Sequence, residues 1–144
     1  MYTGLQHLHS FFAYLVLLAL ITAIVVMYLG LSGNKPFQKK DKMLALIGLT
    51  ATHLQFLFGL FLYFVSPMGF KNLSGATMGD SMGRLYTLEH PLMMLIAVIL
   101  ITIGYSKHKK LAEDKRKFKT VFIFYLIGLI LILSRIPWTA WLGN

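Results

Sequence analysis

The side chains able to do chemistry lie inside long apolar runs. They are His7 and His9 in the first run, His53 with Gln55 in the second, Glu89-His90 in the third and Arg135 at the end of the fourth. An ionisable group inside a membrane is costly, so each one needs a partner or a task. Imidazole is the main chemical asset of the set, because a neutral ring offers a lone pair to a metal. Two such rings on two helices of a membrane bundle suit the axial positions of a b-type haem, whose iron takes nitrogen donors above and below the ring. The chain has no Cys, so covalent haem attachment, thiolate ligation and a disulfide framework are excluded. Copper is the alternative if His9, His53 and His90 converge. Met93 and Met94 are further soft donors, although Met in a membrane helix ordinarily packs. Gly59, Ala13, Ala97 and Gly128 are small enough to let helices flank a flat ring. Arg135, with Ser10 or Trp138 nearby, is placed to meet its propionates.

The elements that must position these residues follow from composition. The chain has 144 residues, 57% hydrophobic and 13% charged, and a soluble domain carries about a quarter charged residues. Four runs are long enough to span a bilayer as helix, at about 5–31, 43–65, 85–106 and 120–136. They do not alternate strictly, which excludes a barrel. The expected fold is an all-α, four-helix transmembrane bundle forming one domain over residues 1–144.

Charge gives the orientation. Eleven of the fourteen cations lie in two loops: Lys35, Lys39, Lys40 and Lys42 in the first, and Lys107, Lys109, Lys110, Lys115, Arg116, Lys117 and Lys119 in the third. Short loops rich in Lys and Arg stay cytoplasmic. Both termini are therefore expected on the non-cytoplasmic side, the periplasm in a Gram-negative cell. The basic loops serve topology first, and anionic headgroups could also meet them. No Lys or Arg precedes the first run, which is longer than the core of a signal peptide and reads as a span. Trp138 and Trp141 follow Pro137 where an interfacial anchor belongs.

Depth then sorts the polar residues. A helix rises ~1.5 Å per residue, which places His9, His90 and Arg135 of three antiparallel helices in one layer near the non-cytoplasmic end. His53 lies near the middle of its helix. His7 and His9 cannot face the same way, and His7 reads as the interfacial one of the two. Glu89 has a purely structural explanation near a helix start, where Thr87 could cap the turn and Pro91 is tolerated. His90 has no such explanation. His108, in the basic loop, reads as solvated.

Four segments carry a family likeness: His-Leu-His-Ser at 7–10, Thr52-His53-Leu54-Gln55 followed by Leu57-Phe58-Gly59, Glu89-His90-Pro91-Leu92-Met93-Met94, and Arg135-Ile136-Pro137-Trp138. With these segments the chain resembles, over essentially its whole length, small four-span membrane proteins of Bacteroidota that carry the label cytochrome b-like. The resemblance implies a bacterial inner-membrane protein. The chain also resembles one half of haem A synthase. In that family a His near the outer end of one helix and a His two helices later ligate the haem, and the helix between them carries a Gln and a Gly. That resemblance implies His9 and His90 as axial ligands, with Gln55 and Gly59 on the intervening helix. His53 is then an outer-sphere or gating residue, or the alternative ligand opposite His90. The chain has half that family's spans.

The expected function is therefore haem b binding and electron transfer near the outer leaflet, exchanging electrons with quinol or a partner protein. Gln55, Glu89 and His53 could relay protons. The alternative is a non-redox membrane subunit or assembly factor of a larger respiratory complex, or a protein that handles copper or haem, with the His, Glu and Arg as structural contacts. An oxidoreductase subunit is the one enzymatic reading that stays open, and no catalytic residue is assigned. A transporter draws little support from four short unbroken spans, although a homo-oligomer could supply more. Nucleic-acid binding and hydrolysis lack any supporting motif.

Overall fold

A computed structural model describes residues 1–143, and every structural statement below concerns these. Four long helices make up the fold: α1 (Tyr2–Ser32), α2 (Lys39–Val65), α3 (Ser81–His108) and α4 (Asp114–Ser134). All four are long and apolar enough to cross a membrane. They pack antiparallel in the cyclic order α1–α2–α3–α4, so α1 and α3 face each other across the bundle axis. Of the four seams, α2–α3 packs least closely.

The helix ends follow from local chemistry. Helix α1 stops where Asn34 takes up the left-handed region (φ 47°), a conformation Asn tolerates, and Pro36 prevents continuation. Helix α2 opens with a reciprocal cap in which Gln38 N–H donates to Asp41 Oδ2 at 2.8 Å. It closes at Ser66, before Pro67. Helix α3 begins four residues earlier than the apolar run, at Ser81, because Asp80 Oδ2 accepts from Gly83 N–H at 2.6 Å and caps the chain there.

Thr87 is therefore not a cap. It is buried inside α3, and its hydroxyl donates to Gly83 C=O at 2.7 Å. Residues Leu85–Glu89 form a wider π turn inside α3, a local expansion common at functional sites. Pro91 has no N–H to give to the Thr87 carbonyl one turn back. The hydroxyl of Tyr63, on α2, donates to that carbonyl instead, at 2.8 Å.

The apolar core occupies the middle of the bundle and the half next to the two basic loops. Leu20, Ala23 and Met27 of α1, Ala45 of α2, Ala97 and Ile101 of α3 and Val121 and Tyr125 of α4 are all fully buried. The hydroxyl of Tyr125 donates across the bundle to Ala45 C=O at 2.6 Å, so its one polar atom is satisfied. Gly128 lies against Ile101 and the Ala97 carbonyl, so the Ala97–Gly128 contact closes the α3–α4 seam rather than leaving room beside it. The outer surface is apolar, with Leu18 and Phe61 each 65% exposed, as a lipid-facing surface should be. Trp141, in a short terminal turn (Trp138–Trp141), donates its indole N–H to Ser10 C=O at 3.1 Å and stacks near Tyr14.

Candidate functional site

The polar residues gather at the end where α1 begins and α4 finishes, the terminal end of the bundle. His9 of α1 and His90 of α3 approach each other across the bundle axis with ring centres 6.3 Å apart and ring planes at 85°. Because α1 and α3 stand opposite one another, side chains pointing inward from both must meet near the axis.

Each ring is held by its surroundings. His90 Nδ1 donates to the Arg135 carbonyl at 2.7 Å. A carbonyl can only accept, so the Nδ1 of a neutral His90 carries the proton and Nε2 keeps its lone pair, the tautomer seen in metal-ligating imidazoles. That carbonyl is free because α4 has just ended: Arg135 is the residue on which the helix stops. His9 lies on Gly59 of α2, where a Cβ would come within 2.9 Å of His9 Cε1, so only glycine leaves room for the ring. The Gln55 amide donates to the His9 carbonyl at 2.9 Å and ties α2 to α1 at the same level. His9 Nδ1 and Gln55 Oε1 are buried without a hydrogen-bond partner. Buried polar atoms are nearly always paired, so two such atoms in one layer require an explanation.

Around the pair runs an ionic cluster. Glu89 Oε1 accepts from Arg84 Nε at 2.7 Å, and its Oε2 lies 3.2 Å from Arg135 Nε. Arg84 also donates to Met78 C=O at 2.9 Å, and Arg135 to Ser134 C=O at 2.8 Å. With two guanidiniums and one carboxylate, the cluster is net cationic.

The structure thus brings together His9, His90, Gln55, Gly59 and Arg135. Arg84 joins them through Glu89, and reading the sequence as loop before the third span missed it. The signal was an opposite charge five residues from Glu89, the spacing of a π turn. His53 stands apart, about six residues deeper along α2 than Gly59. Its Nδ1 donates to Leu49 C=O at 2.8 Å, and the Thr102 hydroxyl lies 3.2 Å from its Nε2, so both nitrogens are engaged between α2 and α3. Among the described residues no group of three or more His, Cys, Asp or Glu comes together as a metal site, so His9, His53 and His90 do not converge. His7 is exposed. His108 is the opposite of solvated, at 2% exposure.

The pair's spacing has chemical meaning. A single metal atom bonded to one nitrogen of each ring at ~2.0–2.1 Å, the length of zinc–imidazole bonds, puts the ring centres roughly 6 Å apart when the two bonds are in line. No protein-family model, curated protein or solved structure matches the chain, so its function has to be argued from this geometry.

Proposed function

We propose that the protein is a membrane-bound b-type cytochrome that holds one haem between His9 and His90 and transfers single electrons at the terminal end of the bundle. The observation that carries this reading is the facing imidazole pair, 6.3 Å apart on opposite helices. The residues fit the group in three further ways. His90 already spends its Nδ1 proton on the Arg135 carbonyl. His9 has a buried nitrogen without a partner. Arg84 and Arg135 outnumber Glu89, which suits the two propionate carboxylates of a haem.

A haem held by His9 and His90 would supply a reversible one-electron couple. The chain's own residues do the rest. Gly59 leaves room for the His9 ring, Gln55 fixes the α1 backbone at His9, and the Glu89 cluster clamps the start of α3 to the end of α4. The apolar surface keeps the protein in the bilayer. Its basic loops face the cytoplasm and its termini the periplasm, which puts the imidazole layer within reach of quinol or a periplasmic redox partner.

Reduced-minus-oxidised absorption spectra of the protein purified from membranes test the proposal, with pyridine haemochrome for stoichiometry. An α-band with one haem per chain is expected, absent in His9→Ala and His90→Ala and retained in His7→Ala and His53→Ala. A colourless protein would overturn it.

A second reading is favoured by the internal pairing of Glu89, Arg84, Arg135 and His53. A non-redox subunit or assembly factor would use such contacts purely to hold helices together. A stoichiometric partner that copurifies with no chromophore identifies that case.

A further inference from the structure

The third buried and unpartnered side-chain atom among the described residues is His108 Nδ1, at the other end of the bundle from the histidine pair. His108 closes α3 and lies among Phe37 and Tyr105, with ring centres 5.4 and 4.9 Å away. Its ring borders a cavity of about 280 Å³ that Lys39, Lys42, Lys109 and Lys117 also line, together with Phe37. No carboxylate lines this space. Asp114 lies 3.8 Å from Lys117 Nζ, and no other ion pair among the described residues involves the four lysines. The Nζ atoms of Lys109 and Lys117 lie over the rings of Tyr105 and Phe37, 5.1 and 5.7 Å from the ring centres, so both ammonium groups rest on the aromatic side chains around the cavity.

Topology alone does not account for this arrangement. The positive-inside rule asks only for cations in the loops and is indifferent to which of them converge. Here four come together around a space large enough for one phosphate group or several waters, a water taking ~30 Å³ in the liquid. The buried Nδ1 of His108 in its wall has no partner, and an unpaired buried polar group costs free energy unless something completes it. Four cations held together repel one another until an anion arrives.

We infer that this cavity is a binding site for a phosphate group, carried by an anionic lipid headgroup or present as free phosphate. The phosphate oxygens accept from the lysine ammonium groups and from the imidazole, and Phe37 walls the site from the bundle core. The site lies on the loop side of the last turns of α3, the level of lipid headgroups. It does not depend on what the histidine pair at the far end binds.

Native mass spectrometry of detergent-solubilised protein given phosphatidylglycerol or phosphatidylcholine tests the inference. Phosphatidylglycerol should be retained selectively. Its retention should fall about tenfold or more in Lys42→Gln/Lys109→Gln, since each lysine near a membrane surface contributes a several-fold attraction to anionic lipid. It should fall several-fold in His108→Phe, which keeps the aromatic packing. Lys115→Gln/Lys119→Gln removes the same charge from the same loop region outside the cavity and should leave retention unchanged. Equal losses in the two double variants would overturn the inference, because charge alone would then explain binding. So would the absence of any lipid preference together with no effect of phosphate.

The source of the phosphate is read on lipid-depleted wild-type protein by amine acylation. Protection of Lys42 and Lys109 by inorganic phosphate, with Lys115 and Lys119 still reactive, assigns a free anion. Selective phosphatidylglycerol retention without such protection assigns a lipid. The same wild-type protection pattern, read with phosphatidylglycerol vesicles and with phosphate, decides the matter if the variants fail to fold.

Discussion

The middle of the bundle and its terminal end are built from opposite materials. Toward the basic loops, the middle of the molecule is filled with Leu20, Met27, Ile101, Val121 and Tyr125, and the one buried hydroxyl of Tyr125 finds a carbonyl. Toward the terminal end, two imidazoles, an amide and a carboxylate with two guanidiniums share a single layer, and two of their buried atoms have no partner. A bilayer asks only for the first kind of interior. Packing and satisfied backbone hydrogen bonds hold helices together in lipid, and small residues at close seams do the same. The apolar middle is what such a fold requires, whereas the terminal end carries buried polar atoms without partners that helix packing leaves unexplained. Those atoms are the best pointer to function.

Substitutions should separate the two regions cleanly. The largest effect is expected from His9→Ala or His90→Ala: loss of essentially all bound haem, read from the α-band, with helicity by circular dichroism unchanged. Large-to-small changes in the middle, Leu20→Ala or Ile101→Ala, should instead cost about 2–5 kcal/mol in stability, read from denaturation in detergent, with the haem spectrum of the folded fraction unaltered.

A matched glycine pair sharpens the contrast. Gly59→Ala drives a methyl toward His9 and should lower haem occupancy or shift its spectrum. Gly128→Ala, whose Cβ would lie 2.8 Å from Ile101, should cost about 1–3 kcal/mol by overpacking and leave the spectrum alone. The smallest effect is expected from Glu89→Gln. Its ion pairs are partly exposed, so the stability change should be about 1 kcal/mol or less. Removal of a negative charge beside the proposed haem should raise its midpoint potential, read by redox titration. An unchanged potential would argue that Glu89 is remote from the cofactor.

Much of the fold was legible in the sequence because lipid imposes a simple rule, roughly twenty apolar residues per crossing. The four runs and their breakers located all four spans, with starts up to six residues late where polar residues open the helices, as at Asp114. The start of α3 was not legible. Thr87, Glu89 and Pro91 imitate a helix start, and the true cap, Asp80, lies in a glycine-rich loop. Nothing local reveals that a π turn and the Tyr63 hydroxyl on another helix absorb the proline. At the site, counting residues from the helix ends put His9, His90 and Arg135 in one layer. Counting could not give azimuth, and azimuth decides which residues face one another. The role of the Arg135 carbonyl was invisible for the same reason. His108 was misread because a histidine among lysines looks solvated, and Phe37, which packs on it together with Tyr105 one turn earlier on α3, comes from a distant segment.

Electron paramagnetic resonance of the oxidised, purified protein tests the facing pair most directly. Two imidazoles on one iron with planes near the observed 85° should give a strongly anisotropic low-spin ferric signal, and either histidine-to-alanine change should abolish it. A high-spin signal in the wild type, or a low-spin signal that survives the loss of His9 or His90, would contradict the assignment.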